Sequence, residues 1–293
     1  MCSKRTGVIV GMAMAAWVWL HPVAAAVDPI ENAIQAAESR LGARIGAAII
    51  DTGSGRSWLH RADERFPMAS TFKVLACAAL LKGGPQLMGQ QATILEADLQ
   101  SYSPVTKTMV GKQVSASELC AITMRTSDNT AVNEVLEILG GPQAVTSFVR
   151  NAGDRVTRLD RNEPTLNEGQ PGDPRDTTTP RAMADTLREL VLGSVLGAQA
   201  RGQLTGWLRS NEVGGPLLRA GIPADWGIAD RTGAGGFGTR GIVAVMWPPG
   251  HEPVVAAIYV TETEASMDER NAAIREIGQA VASEFSRRLP PSP

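Results

Sequence analysis

The sequence predicts an α/β protein: an antiparallel five-stranded sheet flanked by helices, plus an all-helical lobe, with a functional site in the cleft between them. Three observations predict it. Apolar, β-branched runs occur only near the two ends of the chain. Helical patterns fill the middle. One long stretch, 153–179, shows neither period. Strands that bracket a helical middle fit a single sheet assembled from both ends of the chain. A cleft between two lobes is a common place for a site.

The elements follow in chain order. Residues 1–26 carry Lys4 and Arg5, then an apolar run from Gly7 to Leu20, then Ala24, Ala25 and Ala26. That is the layout of a secretory signal, with cleavage expected near Ala26. The apolar run is too short for a membrane span. Residues 28–41 read as a helix, with Asp28 as cap and Pro29 at the first position. Residues 45–50 read as a strand, the turn residues Thr52, Gly53, Ser54 and Gly55 follow, and a second strand starts near Arg56. Helices are expected over 71–82, 116–126, 131–139, 144–151, 181–191 and 198–209. Strands return over 227–232, 241–247 and 253–261. A long helix, 266–288, ends before Pro290. The resulting division is a leader, 1–26; an α/β lobe, 27–59 with 212–293; and a helical lobe, 60–211. The aperiodic stretch is rich in Arg, Asp, Asn, Pro and Gly. A compact domain rarely carries so long a loop without a purpose.

Composition narrows the class. The chain has 293 residues, 43% of them hydrophobic, which is ample for a buried core. Net charge is −2, so the basic surplus of a nucleic-acid binder is missing. Loss of the leader leaves two cysteines, Cys77 and Cys120. An exported chain permits a bridge between them, and closing that loop would contribute roughly 4 kcal/mol. Two buried thiols are the alternative.

Several chemistries are excluded. His21 leaves with the leader, and His60 and His251 have no ligands at metal-binding spacing. Neither has a setting that suits a Ser-His-Asp triad. Gly233 to Gly238 follow a strand, but no helix opens after them, so a phosphate loop is not indicated. No cofactor is implied.

A serine can instead be activated by an amine. Ser70 and Lys73 sit three apart at a helix start, on one face. The chain has five lysines among 28 basic residues, yet keeps lysine here. Arginine cannot give up its proton, whereas a buried lysine can. Ser127-Asp128-Asn129 lies between two helices, where a capping role is the plain alternative. Arg231-Thr232-Gly233 ends a strand. Its cation could grip a carboxylate, and the glycines after it would let a substrate approach the backbone.

S-x-x-K, S-D-N and a K-T-G-like triplet, in that order, resemble the motif set of class A serine β-lactamases and penicillin-binding proteins. Arg161-Asn162-Glu163-Pro164-Thr165-Leu166-Asn167 is similar to the Ω-loop of the class A enzymes, here 158–177. Tyr102-Ser103-Pro104-Val105 is similar to their tyrosine gatekeeper region. Arg231, where most of the family has lysine, resembles the carbenicillin-hydrolysing branch.

The resemblance implies hydrolysis of penicillins, carboxypenicillins included, through an acyl-enzyme on Ser70. Lys73, Ser127 and Glu163 would be the other catalytic residues. Asn129, Asn167, Tyr102, Arg231, Thr232, Gly233, Ala234 and Arg240 would bind substrate. Backbone N–H groups of Ser70 and Ala234 would hold the oxyanion. Arg161 and Asp176 would form a partly buried ion pair across the loop's neck, and Glu163–Pro164 would be cis. Mechanism-based β-lactam inhibitors are the other expected ligands, and no metal is implied. The resemblance further implies a periplasmic monomer with no membrane contact once the signal is gone. A penicillin-binding D,D-peptidase or a β-lactam sensor would share Ser70, Lys73, Ser127 and Asn129; Glu163 in such a loop argues against both. A general serine esterase is disfavoured because no G-x-S-x-G elbow occurs.

Overall fold

The computed structural model describes residues 28–287, together with Met1, Cys2 and Gly7. The expected leader and the end of the last helix beyond 287 lie outside the described residues. The elements run α1 (Pro29–Leu41), β1 (Arg44–Asp51), β2 (Ser57–His60), β3 (Phe66–Pro67), α2 (Lys73–Lys82), α3 (Pro85–Met88), β4 (Gln91–Thr93) and β5 (Gln113–Ser115). Then come α4 (Ala116–Thr126), α5 (Asn129–Leu139), α6 (Pro142–Asn151), β6 (Thr177–Thr178), α7 (Pro180–Val191) and α8 (Ala198–Arg209). The chain ends with α9 (Leu218–Gly221), β7 (Gly227–Ala234), β8 (Arg240–Trp247), β9 (Val254–Thr261) and α10 (Met267–Ser286).

The expected five-stranded antiparallel sheet is present, in the order β2-β1-β9-β8-β7. β1 runs antiparallel to β9 from Arg44 opposite Thr261 to Asp51 opposite Val254. Alternate residues of the central strands enter different cores. Val254, Ala256, Ile258 and Val260 of β9 face α1 and α10, with Ile34, Ile274, Ile277 and Phe285. Val255, Ala257 and Tyr259 face the helical side, with Met183, Leu187 and Leu75. Burial on both faces is why these strands read as unbroken apolar runs rather than alternating ones. Each large aliphatic side chain buried this way contributes about 1.5–3 kcal/mol.

α2 is buried on every side from Lys73 to Leu81 and forms the centre of the helical lobe. A helix surrounded by others needs no polar stripe. Cys77 on α2 and Cys120 on α4 are joined by a disulfide that closes a separation of 43 residues. α1 keeps its Asp28 cap, whose carboxylate accepts from Ile30 N at 2.8 Å. α10 has Ser266 as cap and Glu269 closing a capping box.

Sequence reading missed the pairs β3–β6 and β4–β5 and the four-residue α3 and α9. Segments of two to four residues carry too little periodicity to register. The helix expected from Thr71 begins instead as a 3-10 turn, Ala69–Phe72, with α2 proper starting at Lys73. Thr71 Oγ1 donates to Met68 O at 2.7 Å, and Ala69 has φ 42°, so the chain enters the helix through a tight, left-handed corner. β3–β6 matters for position: Pro67 pairs with Thr177, and Met68 N donates to Asp176 O at 3.0 Å. The turn that carries Ser70 is thereby tied to the end of the 158–177 loop.

Candidate active site

A cleft of about 410 Å³ opens where β7 meets the 3-10 turn, the α4–α5 junction and the 158–177 loop. Ser70, Tyr102, Ser127, Asn129, Asn167, Thr232, Gly233, Ala234 and Arg240 line it. Lys73, Glu163 and Arg231 are almost wholly buried and belong to its foundation rather than its lining. All the expected catalytic and binding residues therefore converge on one region. Val213 and Met267 also line the cleft and were not anticipated.

Ser70 Oγ donates to Glu163 Oε1 at 3.2 Å. Lys73 Nζ stands 3.2 Å from the same oxygen. Lys73 Nζ also donates to Ser127 O at 2.8 Å, Ser127 Oγ at 3.2 Å and Asn129 Oδ1 at 2.7 Å. Burial pushes the Lys73 ammonium down to about 8, with the Glu163 carboxylate opposing that shift and the Arg231 charge adding to it. A lysine in that range carries an appreciable neutral fraction near neutral pH.

The S-D-N segment caps a helix and also contacts Lys73. Asp128 caps α5, accepting from Ala131 N at 3.0 Å, and it also takes Thr106 Oγ1 at 2.7 Å. Ser127 closes α4 with φ 66°. That left-handed residue turns Ser127 and Asn129 towards Lys73. Asn129 N donates to Tyr102 O at 2.9 Å, which fixes the Tyr102 segment, while the Tyr102 ring is half exposed at the rim.

Glu163 is held by its backbone. Its N donates to Asn133 Oδ1 at 3.0 Å, and its O accepts from Asn133 Nδ2 at 2.9 Å. Asn133 follows Asn129 by four residues on α5, a spacing that puts both on one face and could have been read from sequence. Glu163–Pro164 is cis. Asn167 Nδ2 donates to Glu163 Oε2, and Asn167 Oδ1 is buried with no hydrogen-bond partner among the described residues. At the loop's neck, Arg161 Nε pairs with Asp176 Oδ2 at 2.6 Å. The Asp176 side chain is 1% exposed and that of Arg161 15%.

The opposite wall is β7. Arg231 Nη2 donates to Ser127 Oγ. Burial lowers the Arg231 guanidinium to about 10, so it stays charged at neutral pH. Arg240 is also lowered to about 10, by burial and by Arg270, and is held by Asn271 Oδ1 at 2.8 Å. The glycines also have a packing role that sequence did not suggest. A Cβ on Gly233 would lie 2.8 Å from Met68 O and 3.0 Å from Ser70 N; on Gly236 it would lie 2.3 Å from Glu168 O. Their bareness lets β7 and the turn after it press against the serine turn and the loop. Among the described residues, no cluster of His, Cys, Asp and Glu could hold a metal ion.

A family model described as the beta-lactamase enzyme family matches residues 29–285. Beta-lactamase AER-1 of Aeromonas hydrophila is 45% identical over 276 residues, 93% of this chain and 91% of its own. Beta-lactamase PSE-4 of Pseudomonas aeruginosa is 48% identical over 255 residues, 86% of this chain and 88% of its own. Among solved structures, the class A β-lactamase of the last common ancestor of Gram-negative bacteria aligns with a TM-score of 0.85 at 49% identity, covering 87% of this chain and 99% of that one. The chromosome-encoded β-lactamase of Vibrio parahaemolyticus aligns with a TM-score of 0.84 at 43% identity, covering 87% and 98%.

Proposed function

This chain belongs to the class A serine β-lactamase family, and on that premise we propose that it hydrolyses penicillins, carboxypenicillins among them, through an acyl-enzyme on Ser70 that a Glu163-activated water releases. One observation carries the reading: Ser70 Oγ and Lys73 Nζ both reach a single buried carboxylate oxygen, Glu163 Oε1, beneath an open cleft.

In the first step Ser70 Oγ attacks the lactam carbonyl, the new C–O bond forms, and the C–N bond of the ring breaks. Glu163 Oε1 already accepts the Ser70 hydroxyl, which supports it as first acceptor of that proton. Lys73 Nζ touches Ser127 Oγ, which supports a return route by which Ser127 protonates the departing nitrogen. Ser70 N and Ala234 N hold the developing oxyanion. Losing one such donor costs about 3–4 kcal/mol. Thr232 and Arg240 in the lining, with the Arg231 charge beneath, bind the substrate carboxylate; Asn129 and Tyr102 face its side chain.

In the second step a water between Glu163 and Asn167 attacks the ester. Glu163 takes its proton, and Ser70 leaves with a proton restored. The orphan acceptor on Asn167 supports a water there. This step separates a lactamase from a penicillin-trapping protein. Small residues at 69 and 235, Ala69 and Gly235, together with the arginine at 231, support preference for penicillins over bulky oxyimino-cephalosporins. The leader composition supports export, with action in the periplasm of a Gram-negative host as a monomer.

Intact-mass spectrometry of the protein with excess benzylpenicillin tests the reading. The wild type should release product with little lasting adduct. Glu163→Ala should accumulate a covalent adduct on Ser70, with turnover reduced at least ~1000-fold, the scale on which a missing catalytic group acts. A stable adduct on the wild type would overturn it.

A further inference from the structure

Asn211 sits between two buried charges. Its Nδ2 donates to Asp230 Oδ1 at 3.3 Å, and its Oδ1 accepts from Arg231 Nη1 at 3.3 Å. The same Oδ1 accepts from Val213 N at 3.2 Å, which seats a cleft-lining residue. Asn211 is itself buried. β7 is the edge strand of the sheet, so a side chain beside it can meet residues from both faces, here the neighbours Asp230 and Arg231. Asp230 already has a cation: Arg219 donates to it through Nε at 3.0 Å and Nη2 at 2.6 Å. Among the described residues no carboxylate is bonded to Arg231, and Asp230 and Glu163 act on its charge only through space. Its Nη2 goes to a neutral hydroxyl, its Nη1 to this amide, and its Nε is buried without a partner.

We propose that Asn211 is the positioning residue that aims the Arg231 guanidinium while leaving it without a bonded counter-ion, so that its charge is open to the carboxylate of the substrate. This rests on the penicillin-hydrolysing reading above. The amide is the side chain that meets both demands. It offers a donor to a carboxylate and an acceptor to a guanidinium, and it carries no charge of its own. A carboxylate in its place would neutralise Arg231 and crowd Asp230 with a second negative charge. An apolar side chain would leave Nη1 and Asp230 without these bonds.

The test compares wild type, Asn211→Asp and Asn211→Ala on benzylpenicillin and on its methyl ester, which lacks the carboxylate. With Asn211→Asp, KM for benzylpenicillin should rise roughly tenfold and kcat fall less than threefold, the size of one charge-assisted bond. The ester's kcat/KM should change less than twofold. A variant that fails to fold, judged by its melting curve, removes that arm only. Asn211→Ala should then raise KM for the acid at least threefold relative to the ester. Equal changes for acid and ester in the folded variants overturn the proposal, because a merely structural role would not distinguish them. No change with either substrate overturns it too. A wild type that turns over neither substrate would instead overturn the proposed function.

Discussion

Arg161→Ala should loosen the 158–177 loop and slow release of the acyl-enzyme more than its formation. Breaking a buried ion pair costs about 3–5 kcal/mol, because the remaining charge is stranded. Two features reduce that figure here. Asp176 Oδ1 keeps hydrogen bonds from Asp160 N at 2.7 Å and Arg161 N at 3.0 Å. Arg161 itself is 15% exposed. The second partner, Glu168, is 56% exposed and adds less than about 1 kcal/mol. About 2–3 kcal/mol remains. For a domain of this size that corresponds to a fall in Tm of roughly 5–10 °C. If the closed loop is favoured by a similar amount in the wild type, the variant keeps Glu163 in place in about half of its molecules, and deacylation slows by about twofold or more. Acylation loses the same Glu163 acceptor but keeps Lys73, which stands on α2 outside the loop and bonds Ser127 Oγ, as a second group able to take the proton, so it should fall less. Calorimetry gives the Tm, and quench-flow mass spectrometry gives the two rates. A lowered Tm with an unchanged deacylation rate would refute the link between the neck and Glu163. An unchanged Tm would refute the ion pair's worth.

Two further outcomes can be checked. Burial, with Asp98 and Glu137 nearby, raises the Glu134 carboxyl to about 7. The folded state then holds a proton between about pH 4.5 and 7 that the unfolded chain has lost, so stability falls as pH rises through that window. Glu134→Gln should flatten the loss and gain about 1–3 kcal/mol at pH 8, read from melts across pH 5–8; an unaltered slope would count against it. Gly236→Ala must push Glu168 O away from a Cβ otherwise 2.3 Å distant. It should cost about 1–3 kcal/mol in stability and move the loop off β7, so a wild-type melt would contradict the packing described.

The large elements were legible because their signals are local. Asp28 with Pro29 announces α1, and the bounds of α4 and α8 are those read from sequence. The sheet's membership was legible from where strands occur, but β3–β6 was not, since two-residue pairing is decided by the loop it clamps. The site was legible as motifs and not as a network. Nothing local says that Asn211 stands between Asp230 and Arg231, or that Asn271 holds Arg240; those pairs meet only through the fold. The glycines after Arg231 were seen, but their purpose depends on which backbone crosses them, which spacing cannot reveal.

The pairing of β1 with β9 has a consequence for how the protein is made. β1 is made long before its partner: β1 ends at Asp51, β9 begins only at Val254, and every other described element except α1 and α10 lies between them. Until then β1 has β2 alone, and a lone hairpin is marginal in water. Both cores need β9, so neither can close on a partial chain. Such a polypeptide completes its sheet late. Any machinery that must thread it unfolded through a membrane pore has the interval between β1 and β9 in which to engage it, and a truncation before β9 leaves two separate hairpins, β1–β2 and β7–β8, with no strand to join them.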